Sequence, residues 1–121
     1  MTRIDTNYII RYFMNDNTEM ADIAEEVLMT QTVFISNEVL AEVIYVLLGV
    51  YSISKIDISD MLIQLISFEN IHTLDDSITI HSLELFKEKP IDFVDCLLCA
   101  YSHHDTIKTF DKKLLTCIKN Q

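Results

Sequence analysis

The chain is 121 residues long and half hydrophobic, and it carries 19 acidic against 9 basic residues for a net charge of −10. That predicts one domain over residues 1–121 with enough apolar material for a core. The charge excludes a protein that holds nucleic acid by broad attraction to its backbone, and a single Gly and a single Pro exclude glycine-rich phosphate loops.

In chain order, Thr2–Ile4 reads as a short strand and Asn7–Met14 as a helix. Thr18–Met29 reads as a second helix, with Met20, Ile23, Ala24, Val27 and Leu28 on one apolar face. Thr32–Ile35 is a β-branched and aromatic buried strand, after which Ser36 or Asn37 caps a helix through Glu38–Val50. Ser59 or Asp60 opens a helix to Phe68, Ile71–Leu74 is a strand, and Asp75 or Asp76 caps a helix to Lys87. Asp92, just after Pro90, opens a helix to about Ser102; Thr106–Phe110 is a strand and Lys112–Lys119 a closing helix. Strands alternating with helices imply a parallel sheet covered on both faces.

Arg3 and Asp5 leave no room for a signal-peptide core at the start. The longest uncharged apolar run, Val43 to Ile53, is too short to span a bilayer. A cytoplasmic protein without membrane contact is expected. With three cysteines and no secretion signal, no disulfide framework is expected. Cys96 and Cys99 resemble half a zinc site, but at i, i+3 on a helix they read as small core residues.

The acids carry the chemistry. Asp5, Asp92 and Asp111 each precede a helix and so read individually as N-caps, and Asp95 falls in the first turn beside backbone donors. In an open parallel sheet, however, Asp5, Asp95 and Asp111 converge on the carboxyl ends of the strands, where ligands bind. Glu42 has no capping role. It lies in V-L-A-E-V-I-Y-V-L-L, without Lys or Arg a turn away, and is expected to be a buried charge in need of a partner; Glu38 is expected to be solvated. Two like charges about 4 Å apart repel by roughly 4 kcal/mol at an effective dielectric of about 20. Four together require protonation or a divalent cation, and an all-oxygen set suits Mg²⁺ or Mn²⁺ rather than zinc. The chemistry this favours is phosphodiester hydrolysis.

Asp5-Thr6-Asn7 after the first strand, Val39-Leu40-Ala41-Glu42-Val43, Asp92-Phe93-Val94-Asp95-Cys96 and Thr109-Phe110-Asp111 occur in this order across nearly the whole chain. Together they resemble the PIN-domain family, and within it the VapC-type toxins of toxin–antitoxin pairs. The resemblance implies a three-layer α/β/α sandwich with a short parallel sheet and a metal-dependent endoribonuclease site. It implies Asp5, Glu42, Asp95 and Asp111 as catalytic and Mg²⁺- or Mn²⁺-binding residues, with Asn7, Asp92 and Thr109 in support. It also implies an RNA substrate, a cognate antitoxin whose tail enters the groove, and a homodimer. The chain departs from the family's usual pattern at Cys96, where a small residue is common. Tyr101–Asp105 also lacks a frequent glycine.

Lys108, Lys112 and Lys113 flank Asp111, and Arg11 lies on the first helix; they read either as phosphate contacts or as solvated charges. His103 and His104 point about 100° apart on a helix, and His103 lies about 12 Å from Asp95 along it. No shared ion is expected there, and His72 and His81 are expected to be structural. Met14, Met20 and Met29 read as core filling, or as an apolar groove for a partner helix. The main alternative to an enzyme is a non-catalytic PIN-like interaction module whose acids dock a basic partner. A receiver-type phosphoacceptor would need a paired acid beside Asp5, and the sequence supplies only one.

Overall fold

Every helix of this chain begins on a side-chain oxygen, and that regularity sets where the acids lie. The structure is a computed structural model describing residues 1–121. Its elements are β1 (Thr2–Arg3), α1 (Thr6–Met14), α2 (Thr18–Thr30), β2 (Val33–Phe34), α3 (Asn37–Gly49), α4 (Lys55–Ile66), β3 (Ile71–His72), α5 (Asp76–Glu88), α6 (Phe93–Tyr101) and α7 (Lys112–Lys119). Asp5, Asn17, Ser36, Ser54, Asp75, Asp92 and Asp111 are the N-caps, each accepting from the backbone N–H three residues on. That satisfies one of the donors a helix start leaves free.

The strands form a parallel sheet in the order β1-β2-β3, with Thr2 opposite Val33 and Val33 opposite Ile71. Ile35 N donates to His72 O at 2.8 Å, extending the ladder beyond the two-residue strands. Val33, Ile35 and Ile71 are buried in one core with Leu40, Val43 and Leu47 of α3, Leu62 of α4, Phe86 of α5 and Cys96 of α6. The expected class, helix-rich α/β with a short parallel sheet, is the one the chain adopts. No helix is long and apolar enough to cross a membrane.

Four expectations are corrected. The strand expected at residues 106–110 does not form: these residues pair with no strand, and Phe110 is fully exposed. Thr109 Oγ1 instead accepts from Asp111 N at 3.0 Å, a local bond of the kind that competes with a ladder. α4 opens at Ser54, five residues before the expected cap, and Ser59 is wholly buried inside it. On α2 the buried face is Ala21, Ala24 and Leu28, while Met20 is 50% exposed and Ile23 also faces out. Finally, Cys99 and Cys117 are joined as a disulfide with Cα atoms 6.2 Å apart, tying α6 to α7. Their separation in sequence hid this, because proximity of two helices is a tertiary fact. Cys96 remains free and buried, as expected of a core residue.

Candidate functional site

α3 packs against both α1 and α6, and α6 packs against α7. The candidate acids are therefore carried on contiguous elements. They fall into two groups.

The first lies where β1 runs into α1. Asp5 is exposed and caps α1 by accepting from Tyr8 N at 3.3 Å. Beside it, Thr6 Oγ1 donates to Glu42 Oε2 at 2.5 Å, so α3 reaches back to the Asp5 corner. Glu42 itself is exposed, which corrects the expectation of a buried charge. The cause is the orientation of α3: Leu40, Val43, Ile44 and Leu47 turn inward, leaving both Glu42 and the apolar Tyr45 outside. Asn7 is exposed and lines a cavity of ≈ 320 Å³ with Asp5, Tyr8, Arg11, Met20 and Ile23 between α1 and α2.

The second group surrounds Asp95. Asp92 caps α6 by accepting from Asp95 N at 2.8 Å. Asp111 caps α7 by accepting from Leu114 N at 2.9 Å. Asp95 is half-buried in the first turn of α6. Its carboxyl is pushed above the usual aspartate range by burial first, then by the negative charges of Asp92 and Asp111. A helix N-terminus favours a carboxylate and would act the other way. Burial and like charge win.

Capping accounts for Asp5, Asp92 and Asp111, since all seven helices start that way. It accounts for neither Asp95 nor Glu42. The two roles of Asp111 can be separated, because Asn caps as well as Asp while Ala does not. Asp111→Ala is expected to cost about 1 kcal/mol of stability together with any activity. Asp111→Asn should hold its denaturation midpoint and lose activity alone. Urea melts of both variants beside a cleavage assay check this, and equal destabilisation by Asn and Ala contradicts the cap.

No three acidic, histidine or cysteine side chains are gathered closely enough to hold a metal ion among them. The donors present are nonetheless all oxygen. One more is unclaimed: Asn37 Oδ1, in the first turn of α3 just past β2, is buried without a hydrogen-bond partner. Carboxylate and amide oxygens are donors that suit a hard cation such as Mg²⁺ rather than zinc. Sequence reasoning missed Thr6 and Asn37. Both were visible as polar residues directly after a strand, at the same edge as Asp5.

The histidines stay out of the site. His81 and His103 place their rings 5.6 Å apart, and His81 Nε2 meets Gln121 Oε1 at 2.9 Å, holding the C-terminal residue against α5.

No curated protein and no solved structure gives a significant match to the chain. The family model of the PIN domain, whose members are generally nucleases, matches residues 3–116. That span contains both groups of acids and all but the ends of the chain, and the chain belongs to the PIN-domain family.

Proposed function

We propose that this protein is a metal-dependent endoribonuclease of the cytoplasm and the toxin of a toxin–antitoxin pair, formed as one domain over residues 1–121. The observation that carries the reading is Asp95: a half-buried carboxyl crowded by Asp92 and Asp111 that does no capping. Like charges that crowd a partly buried carboxyl without an ion pair are relieved by a cation or a proton. Asp5, Glu42, Asp95 and Asp111 are the residues that would hold Mg²⁺ or Mn²⁺. The ion, when bound, would supply charge stabilisation to a transferring phosphoryl group and an acidified water. The chain's own contribution is positional. Thr6 fixes the Glu42 carboxylate, Thr109 fixes the turn that presents Asp111, and Asp92 fixes the first turn that presents Asp95. Asn7 stands beside Asp5, ready to orient a phosphate oxygen or a water.

The α1–α2 cavity supports an antitoxin partner. Its rim combines exposed Met20 and Ile23 with Asp5, which suits a segment with apolar anchors and a basic group directed at the acids. A homodimer is supported by the apolar strip of α3 and α6, where Tyr45 is 78% and Val94 53% exposed. Calorimetric titration of Mn²⁺ tests the ion site. Uptake by the wild type, lost in the Asp5→Asn/Asp95→Asn variant with an unchanged circular dichroism spectrum, is the expected result. Equal uptake by both excludes these ligands.

A further inference from the structure

The basic residues of this acidic chain are unequally employed. Arg11 and Lys87 pair with Asp16 and Asp60 at 2.8 and 2.5 Å. Arg3 lies over the Phe34 ring at 4.4 Å. Lys55 donates to Lys89 O at 2.7 Å and Ile91 O at 3.1 Å. The other five, Lys89, Lys108, Lys112, Lys113 and Lys119, have no carboxylate within ion-pair distance, although the chain carries 19 acids. Three of these five line a single cavity of ≈ 220 Å³, with Thr116 and Asn120 on its wall.

Helix stability does not explain two of them. Lys112 and Lys113 open α7, where they face the positive end of the helix dipole, whereas Lys119 in the last turn complements the negative end. Two lysines at an N-terminus, lining one cavity with a third, oppose one another and the helix dipole beyond what the Asp111 cap offsets, and an anion between them would relieve both. The cavity is also fixed in shape. Lys55 pins the Lys89–Ile91 backbone on one side, and the Cys99–Cys117 disulfide anchors α7 on the other.

The cavity begins one residue from Asp111. We propose that it is a phosphate subsite for single-stranded RNA, taking a backbone phosphate adjacent to the one presented to the acids. It rests on the nuclease reading for the identity of the strand. The subsite would give an acidic protein a local grip on RNA without a basic surface. Its lysines would contribute affinity and strand direction, and no base specificity.

The test is fluorescence anisotropy of a labelled oligouridylate with Asp95→Asn protein, which keeps the RNA intact, over a range of salt. On that background Lys89→Gln/Lys112→Gln/Lys113→Gln is expected to lower affinity at least about tenfold and the salt slope by about two. Lys119→Gln removes a lysine outside the cavity and is expected to leave both nearly unchanged. The melting temperature of the triple variant should hold or rise, because the lost charges sat at the wrong end of α7. Unchanged affinity and slope in the triple variant overturn the proposal. Displacement of the RNA by polyglutamate at equal charge overturns it too, by making the cavity a docking point for acidic peptide. Lysine-dependent binding by a wild type that cleaves no RNA sinks the nuclease reading and keeps the subsite. Cleavage with lysine-independent binding does the reverse.

Discussion

Asp95→Asn is expected to lower RNA cleavage by at least about a hundredfold and, in the presence of a chelator, to raise the melting temperature by about 1–3 °C. The opposite signs have one cause. The folded protein holds the Asp95 carboxyl above its ordinary range through burial and the charges of Asp92 and Asp111. A carboxyl raised on folding adds stability only at low pH, where it is protonated. That contribution is lost as the pH climbs through the raised value, so near neutrality the ionised group works against the fold. Asparagine keeps the shape and removes the charge. Melts of both proteins from acid to neutral pH should therefore converge at low pH and separate above it, with the variant higher. A variant melting below the wild type at neutral pH contradicts the crowding, and one that still cleaves contradicts the role of Asp95.

Reduction of Cys99–Cys117 is the second large effect. The bridge closes a loop of 18 residues, and in the chain-entropy description a loop near that size contributes about 3 kcal/mol. Dithiothreitol, or Cys99→Ser/Cys117→Ser, is accordingly expected to lower the melting temperature by about 10 °C or more. Cleavage should weaken as well, since the bridge ties the helix bearing Asp95 to the helix capped by Asp111. Alkylation checks the thiol assignment independently. Burial pushes the Cys96 thiol up to about 12, so the native oxidised protein should take up no iodoacetamide near neutral pH. The denatured oxidised protein should take up one equivalent and the denatured reduced protein three. Identical melts with and without reductant contradict the bridge.

Much of the fold was legible because it is written locally. The helix starts at Ser36, Asp75, Asp92 and Asp111 follow from side chains that cap, and the parallel sheet follows from strands that alternate with helices. What failed depended on neighbours. Thr106–Phe110 has the β-branched and aromatic residues of a strand, but a strand needs an edge to pair with, and Thr109 turned its hydroxyl to Asp111 N instead. Glu42 looked buried because its neighbours are apolar, yet α3 exposes part of that apolar surface and the carboxylate with it. Ser54 was passed over for Ser59, which is buried inside the helix it was expected to start.

The same division runs through the site. Asp5, Asp92 and Asp111 were legible as the residues that open helices, and each is an N-cap. The bond from Thr6 to Glu42, the orphaned Asn37 acceptor and the meeting of Lys89 with Lys112 and Lys113 were not. Each joins residues far apart in sequence, or reports the absence of a partner, and periodicity carries neither kind of information.

The most direct measurement is cleavage of structured RNA by protein purified free of any partner, with Mn²⁺, with Mn²⁺ plus chelator, and with Asp95→Asn in parallel. Cleavage that disappears with the chelator and with the variant is the result expected of a metal-dependent ribonuclease built on Asp95. Mn²⁺-independent cutting, or equal cutting by the folded variant, would contradict that assignment. A folded wild type that neither cuts RNA nor takes up Mn²⁺ would leave a PIN fold whose acids serve only to dock a partner.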